Sequence, residues 1–95
     1  MRVESNSRIL KLYGNVKTDN DFHIIKGHVD GVVEEFNEVV VHLMDSISIT
    51  SAVIGYFTKL VVKDNVRVEL YVRDEDLYVL LNDLNLVELL DVKKV

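Results

Sequence analysis

Two adjoining stretches decide the fold of this chain. The first is Val39-Val40-Val41-His42-Leu43-Met44, and the second runs from Ser46 to Lys63 as Ser-Ile-Ser-Ile-Thr-Ser-Ala-Val-Ile-Gly-Tyr-Phe-Thr-Lys-Leu-Val-Val-Lys. The first lacks alternation, which predicts a central strand covered on both faces, by helices on both sides or by a dimer partner. The second begins with hydroxyl residues typical of a loop and continues with apolar residues at helical spacing. Strand, loop and helix are therefore predicted in that order, with Thr50 and Ser51 at the start of the helix.

Two strands and a helix are predicted before this unit. Arg2–Glu4 and Arg8–Tyr13 are the strands, with a turn between them and a break at Gly14-Asn15 that indicates a hairpin followed by a crossover. The helix is expected to begin at a cap on Asp19 or Asn20. Its apolar stripe consists of Phe22, Ile25, Val29, Val32, Val33 and Phe36. Gly27 and Gly31 within it indicate close approach of a neighbouring element, a marginal helix, or contact with a ligand or partner.

A strand and a helix are predicted after it. Arg67–Val72 alternates cleanly, and the acidic run Asp74–Asp76 suits the first turn of a helix whose stripe is Leu77, Leu80, Leu81 and Leu84. Asn85 is expected to turn the chain, so that Leu86–Leu90 packs back and Asp91–Val95 adds a short edge strand. The predicted class is α/β, a single small domain spanning residues 1–95. Its sheet is mixed, mostly parallel and of four to five strands, with three to four helices.

Composition narrows the classes of function. The chain has 95 residues, 48% of them hydrophobic, a net charge of −5 and no cysteine. Disulfides, thiolate zinc sites and thiol nucleophiles are thereby excluded. The basic residues are scattered, which argues against nucleic-acid binding. The apolar runs are far shorter than the roughly 18 residues that span a bilayer, and the N-terminus has no export signal. We therefore expect a cytoplasmic protein without a membrane partner.

The titratable residues indicate no catalytic or metal site. His23 and His28 are five residues apart, so they do not share a helical face, and His42 lies on a strand. The chain has no glycine-rich phosphate loop and no nucleophile elbow. We expect no enzyme activity, no metal and no cofactor.

Four local patterns resemble the STAS domain, in particular the stand-alone anti-sigma factor antagonists of bacteria. Gly14 lies where the family has a glycine before its first helix, and the strand Val39–Leu43 is similar to the family's central strand. The segment Ile49–Gly55 resembles its signature Ile-Asp-Ser-Ser-Gly-Leu-Gly, and Asp83–Leu90 resembles its C-terminal element. Three residues depart from the pattern: Thr50 and His42 each replace an acidic residue, and Val53 replaces a glycine.

The resemblance implies a regulator of transcription that binds an anti-sigma factor, which is itself a serine kinase. It implies that Ser51 is the phosphorylation site and that the unphosphorylated form binds the kinase as a monomer or weak homodimer. The partner-binding residues expected in the Ser46–Lys59 region are Ser48, Thr50, Ser51, Ala52, Tyr56 and Lys59. Tyr56 and Lys59 are placed on the polar side of the helix, and Ser46 and Ser48 are alternative acceptors.

Three alternatives remain open from the sequence. In the first, Thr50 or Ser51 serves only as a helix cap. In the second, the chain is a non-phosphorylated scaffold or dimerisation module, which the loss of the acidic residue at Thr50 favours. In the third, the chain is a sensor that binds a small anionic ligand at the same helix N-terminus.

Overall fold

The computed structural model describes residues 1–95 and contains five strands and three helices. The strands are β1 (Arg2–Asn6), β2 (Ile9–Tyr13), β3 (Glu38–Leu43), β4 (Arg67–Val72) and β5 (Val92–Lys94). The helices are α1 (Asp19–Phe36), α2 (Ser51–Val62) and α3 (Glu75–Asp83). The α/β class, the mostly parallel sheet and the number of elements agree with the prediction.

The strands lie in the sheet in the same order as in the chain. β1 pairs antiparallel with β2, and β2, β3, β4 and β5 are parallel neighbours in succession. Crossovers between parallel strands are right-handed, so a sheet that always grows in one direction carries its crossover helices on one face. The burial pattern agrees, since Val39, Val41 and Leu43 of β3 are buried whereas Val40 and His42 are only half-buried.

One face of the sheet is therefore uncovered within this chain, and the expectation of helices on both sides of β3 was wrong; cover by a dimer partner stays a prediction. The buried residues on the helical face of the strands are Leu10, Leu12, Val39, Val41, Leu43, Val68, Leu70, Val72 and Val92. Together with the inner sides of the helices they form one core cluster of 22 residues. The apolar run of β3 places apolar side chains on both faces of the sheet, but helices cover only one of these faces.

The N-terminal boundaries differ in detail from the prediction. β1 continues through Asn6, and the hairpin turn is Ser7-Arg8, where Ser7 has φ of 59°. Gly14 ends β2 and leads directly into the crossover, without a second hairpin. The cap of α1 is Thr18, because its hydroxyl accepts from the Asp21 backbone N–H while the Asp21 carboxylate accepts from the Thr18 N–H. This reciprocal capping box satisfies two helix-end donors at once.

Some residues of the predicted apolar stripes of α1 and α3 are exposed. In α3 only Leu77 and Leu81 are buried, whereas Leu80 and Leu84 are 46% and 49% exposed. Phe36, at the end of α1, is 37% exposed. These residues lie at the margins of their stripes, where a helix that contacts the sheet on one side leaves them in solvent.

The C-terminal prediction was confirmed. Asn85, which follows α3, has φ of 60°, the left-handed conformation that asparagine tolerates, and turns the chain as expected. Leu86 and Leu90 are buried, and β5 adds as a parallel edge strand beside β4.

Candidate functional site

The loop from Met44 to Thr50 connects the C-terminal end of β3 to the start of α2. Thr50 is the N-cap of α2, with extended backbone and a side-chain oxygen that accepts from the Val53 N–H at 3.4 Å. Ser51 is the first residue of the helix, and both Ser51 and Ala52 are exposed. The predicted position of Ser51 at a helix N-terminus was confirmed. Because Thr50 supplies the cap, the Ser51 hydroxyl is not required for that role.

Three hydrogen bonds fasten this loop to the loop that follows β2. The Gly14 N–H donates to Asp45 Oδ1 at 2.6 Å, and Ser46 Oγ donates to the Gly14 carbonyl at 2.6 Å. The Ile47 N–H donates to Asn15 Oδ1 at 2.8 Å. We call these five residues the loop clamp. It holds the segment that precedes Ser51 against a neighbouring part of the backbone.

Gly14 is the residue that the loop clamp requires. Its φ is 89°, and a Cβ added there would lie 3.3 Å from the Met1 Cα atom. Both conditions disfavour any other residue. This network was not predicted, although Asn15 and Asp45, polar residues just after two adjacent parallel strands, are a sequence signal for it.

The hydroxyl groups of the loop differ in accessibility. Ser46 is fully buried and its hydroxyl is engaged with Gly14, so the interpretation of Ser46 as an alternative acceptor was wrong. Ser48 is exposed, as is Ser51. The neighbouring Ile47 side chain is 62% exposed, because its backbone is held by the loop clamp while its side chain points away from the core.

Tyr56 does not lie on the exposed side of α2. It is only 7% exposed and donates a hydrogen bond from its hydroxyl to the Asp30 carboxylate of α1. Burial, together with the Asp30 charge, raises the pKa of Tyr56. The predicted placement was wrong because α1 packs alongside α2 and covers the side that carries this ring.

Asp30 is the centre of the contact between the two helices. Lys26 Nζ donates to Asp30 Oδ2 at 2.7 Å, in addition to the bond from Tyr56. Burial alone would raise the pKa of Asp30, but these two hydrogen bonds and the charges of Lys26 and Lys59 together outweigh it and lower the pKa. Lys59 of α2 is exposed, as predicted, and has a 3.8 Å contact with Asp64. The exposed members of the predicted partner-binding set are thus Ser48, Ser51, Ala52 and Lys59.

His42 lies on the uncovered face of the sheet, away from the helical core. Its ring stacks on Tyr71 of β4 with centroids 4.5 Å apart and planes at 11°. Burial, reinforced by the charges of Lys11 and Arg73 and opposed by Glu69, lowers the pKa of His42. The neutral imidazole is therefore the favoured form near pH 7.

The surface around Ser51 is flat. The depressions in the molecular surface have volumes of 180 to 410 Å³, and none is lined by a residue of the 46–59 region. Parallel sheets bind ligands in the crevice where strand order reverses, and the parallel part of this sheet has no such reversal. No group of three or more metal-ligating side chains is positioned to hold an ion, and no helix has the length and apolarity to cross a bilayer.

In comparisons with known proteins, no family model, no curated protein and no solved structure matched this chain.

Proposed function

We propose that this chain is a non-catalytic regulatory binding domain of the anti-sigma factor antagonist type, switched by phosphorylation of Ser51. Its partner is an anti-sigma factor that acts as a serine kinase, in the bacterial cytoplasm. The observation that carries the proposal is the position of Ser51, an exposed first residue of α2 whose hydroxyl is free of capping because Thr50 serves as the cap.

The loop clamp supports the same role. A kinase must accept a serine in a defined backbone geometry, and a partner that reads the modified state needs the acceptor in a fixed place. Three hydrogen bonds hold residues 45–47 to the loop after β2, four to six residues before the acceptor. Order in a segment that carries an exposed hydroxyl suits recognition by a protein.

The electrostatics favour a change of surface over a change of fold. A phosphate on Ser51 adds about −1.5 to −2 charges at pH 7. The N-terminal end of α2 has no acidic residue in its first turn, and its dipole stabilises a negative charge there by about 0.3–1 kcal/mol. The domain stays folded, and the partner meets a doubly charged group where it previously met a hydroxyl.

The flatness of the surface favours a protein as the partner. The contact region consists of the exposed Ser48, Ser51, Ala52 and Lys59, with Ile47 as an exposed apolar side chain beside them. Thr50 contributes through its cap, which orients the first turn of α2. A small-ligand sensor needs a concave site, and the absence of one around Ser51 makes that alternative the weaker one.

The test is intact-mass analysis of the purified protein after incubation with ATP and a soluble extract of its host, followed by mapping of the modified site. We expect one added phosphate on wild type, none on Ser51→Ala and one on the matched variant Ser48→Ala. Phosphate that persists in Ser51→Ala contradicts the assignment of Ser51. No phosphate on wild type, from an extract that modifies a control antagonist, removes the switch.

A second test addresses the partner. If a single extract protein is identified as the kinase, its purified form should bind the wild-type chain and should lose that binding to Ser51→Asp, with thermal stability of the variant unchanged. Retained binding by Ser51→Asp would show that binding of the kinase does not depend on charge at residue 51. The scaffold alternative is supported by a different observation, the uncovered face of the sheet.

A further inference from the structure

The uncovered face of the sheet is unusual for strands that are mostly parallel. Parallel sheets are nearly always covered on both faces, and antiparallel sheets are the ones that commonly leave one face in water. Three of the four strand pairings here are parallel. All three helices lie on the opposite face, so nothing within this chain covers the second one.

A single row of side chains crosses this face from edge to edge. The strand registers align Glu4 of β1, Lys11 of β2, His42 of β3, Tyr71 of β4 and Lys93 of β5. Aligned neighbours on adjacent strands point to the same face of a sheet. The row thus has an acid at one edge, a base at the other and the stacked rings near its middle.

The row is complementary to itself under one particular symmetry. β3 is the central strand of the five, so a two-fold axis along β3 places β1 of one copy over β5 of the other, and β2 over β4. Glu4 then faces Lys93 of the other copy, and Lys11 faces the ring of Tyr71. His42 faces its own counterpart at the axis. A two-fold axis perpendicular to the strands would place Glu4 over Glu4 and Lys11 over Lys11, which is repulsive.

The half-buried side chains of this face lie near its middle. The middle holds the half-buried Val40 and the His42–Tyr71 stack, with Ile9 beside Val40 at 37% exposure. Glu4 and Lys93 lie on the two edge strands, but charged side chains also lie on the inner strands, where Lys11 is beside His42 and Glu69 is beside Val40. Within the chain, Lys93 Nζ donates to Glu69 Oε1 at 3.1 Å, so a contact with Glu4 of another copy would be its second acidic partner on this face.

We propose that the uncovered sheet face is the interface of a symmetric homodimer, with its two-fold axis along β3 and with Glu4 paired to Lys93 across it. The proposal does not depend on phosphorylation of Ser51. Packed sheets lie about 10 Å apart with strands within about 30° of each other. The edge strands are two spacings, about 10 Å, from the axis, so this rotation shifts them by about 5 Å. Glutamate and lysine side chains are long enough to span that offset.

Sedimentation velocity across a range of concentrations gives the first test. We expect the wild-type chain, of monomer mass 10.9 kDa, to sediment as a species of twice that mass at the higher concentrations. Val40→Lys brings two charges together at the axis and should leave only monomer. Its fold should persist, because Val40 is half-buried and aligned with Glu69 on β4. The matched control Val79→Lys, on the helical side at 45% exposure, should dimerise as wild type does.

Charge reversal gives the sharper test. Glu4→Lys alone and Lys93→Glu alone each turn two attractive contacts of the dimer into repulsive ones, so each should weaken self-association about tenfold or more. Mixing the two variants makes both contacts attractive again, so a heterodimer should form with about wild-type affinity. A defect in folding would not be repaired by mixing.

Each remaining outcome overturns the proposal. A wild-type chain that stays monomeric at every concentration removes the dimer. A dimer that tolerates Val40→Lys uses a different surface. Reversed variants that fail to associate when mixed, while Val40→Lys is monomeric, place the axis elsewhere on the face.

Discussion

Two glycines in α1 provide the most direct test of the energetics of the fold. Gly27 and Gly31 lie in the interior of an 18-residue helix, and a Cβ built on either would meet no atom within 4 Å. Close approach of a neighbouring element therefore does not explain them, which leaves a marginal helix or contact with a ligand or partner. Glycine in a helix interior costs about 1 kcal/mol relative to alanine.

We expect Gly27→Ala and Gly31→Ala each to stabilise the protein by about 1 kcal/mol, and the double variant by about 2 kcal/mol. No steric term opposes the gain, since the space above each residue is open. For a domain of this size each kilocalorie corresponds to about 4–8 °C in Tm. Urea unfolding followed by circular dichroism measures the change, with a constant m-value as the sign that stability alone has changed.

Gly14→Ala is the control with the opposite sign. Its φ of 89° and the nearby Met1 backbone predict destabilisation. If the double variant in α1 is neutral or less stable than wild type, the outer face of that helix is not open in solution and propensity does not determine its stability.

Three further predictions concern the candidate site and the two faces of the sheet. In urea titrations, Thr50→Ala should lower the free energy of unfolding by about 0.5–2 kcal/mol and Ser51→Ala by less than about 0.5 kcal/mol, because only Thr50 caps α2. Equal losses would contradict the assignment of the cap to Thr50 alone. Tyr56→Phe should cost about 0.5–1.5 kcal/mol in the same assay by removing the hydrogen bond to Asp30, and no loss would mean that the bond contributes nothing net. Folding lowers the pKa of His42 below its ordinary 6.5, so the unfolded chain takes up the proton at a higher pH than the folded chain does. The free energy of unfolding should therefore be highest above pH 6.5 and should fall as the pH drops below 6.5. His42→Gln should flatten that part of the pH profile, and an unchanged slope would mean that other groups cause it.

Most of the fold was predictable because its elements are encoded locally. The alternation of Arg67–Val72 specified β4, and the acidic run at Asp74–Asp76 specified the start of α3. Asn85 marked the turn after α3 because few other residues adopt a left-handed backbone at low cost.

The errors arose where the environment depends on distant parts of the chain. The sequence around Val40 predicts a core residue. Because each successive strand is added on the same side of the sheet, all three helices lie on the other face and none covers Val40. Tyr56 has a polar group that suggests solvent, whereas Asp30, 26 residues earlier, provides its partner. The loop clamp joins Gly14 to Asp45 and Ser46 across more than 30 residues. No local pattern specifies such pairings.

For the candidate site, the sequence located the start of α2 but not the roles of its hydroxyls. Spacing alone could not separate the capping residue from the exposed one, because Thr50 and Ser51 are both good caps. Their backbone positions decide it: Thr50 is extended and Ser51 is helical.

The identity of chain order and sheet order bears on how this protein is made. Each strand after β1 docks beside the one synthesised before it, so no strand awaits a segment beyond the next crossover. Pairings between successive strands keep the loops that must close short, which favours fast folding. On the ribosome, the sheet can lengthen one crossover at a time from the N-terminal hairpin, with β5 adding last.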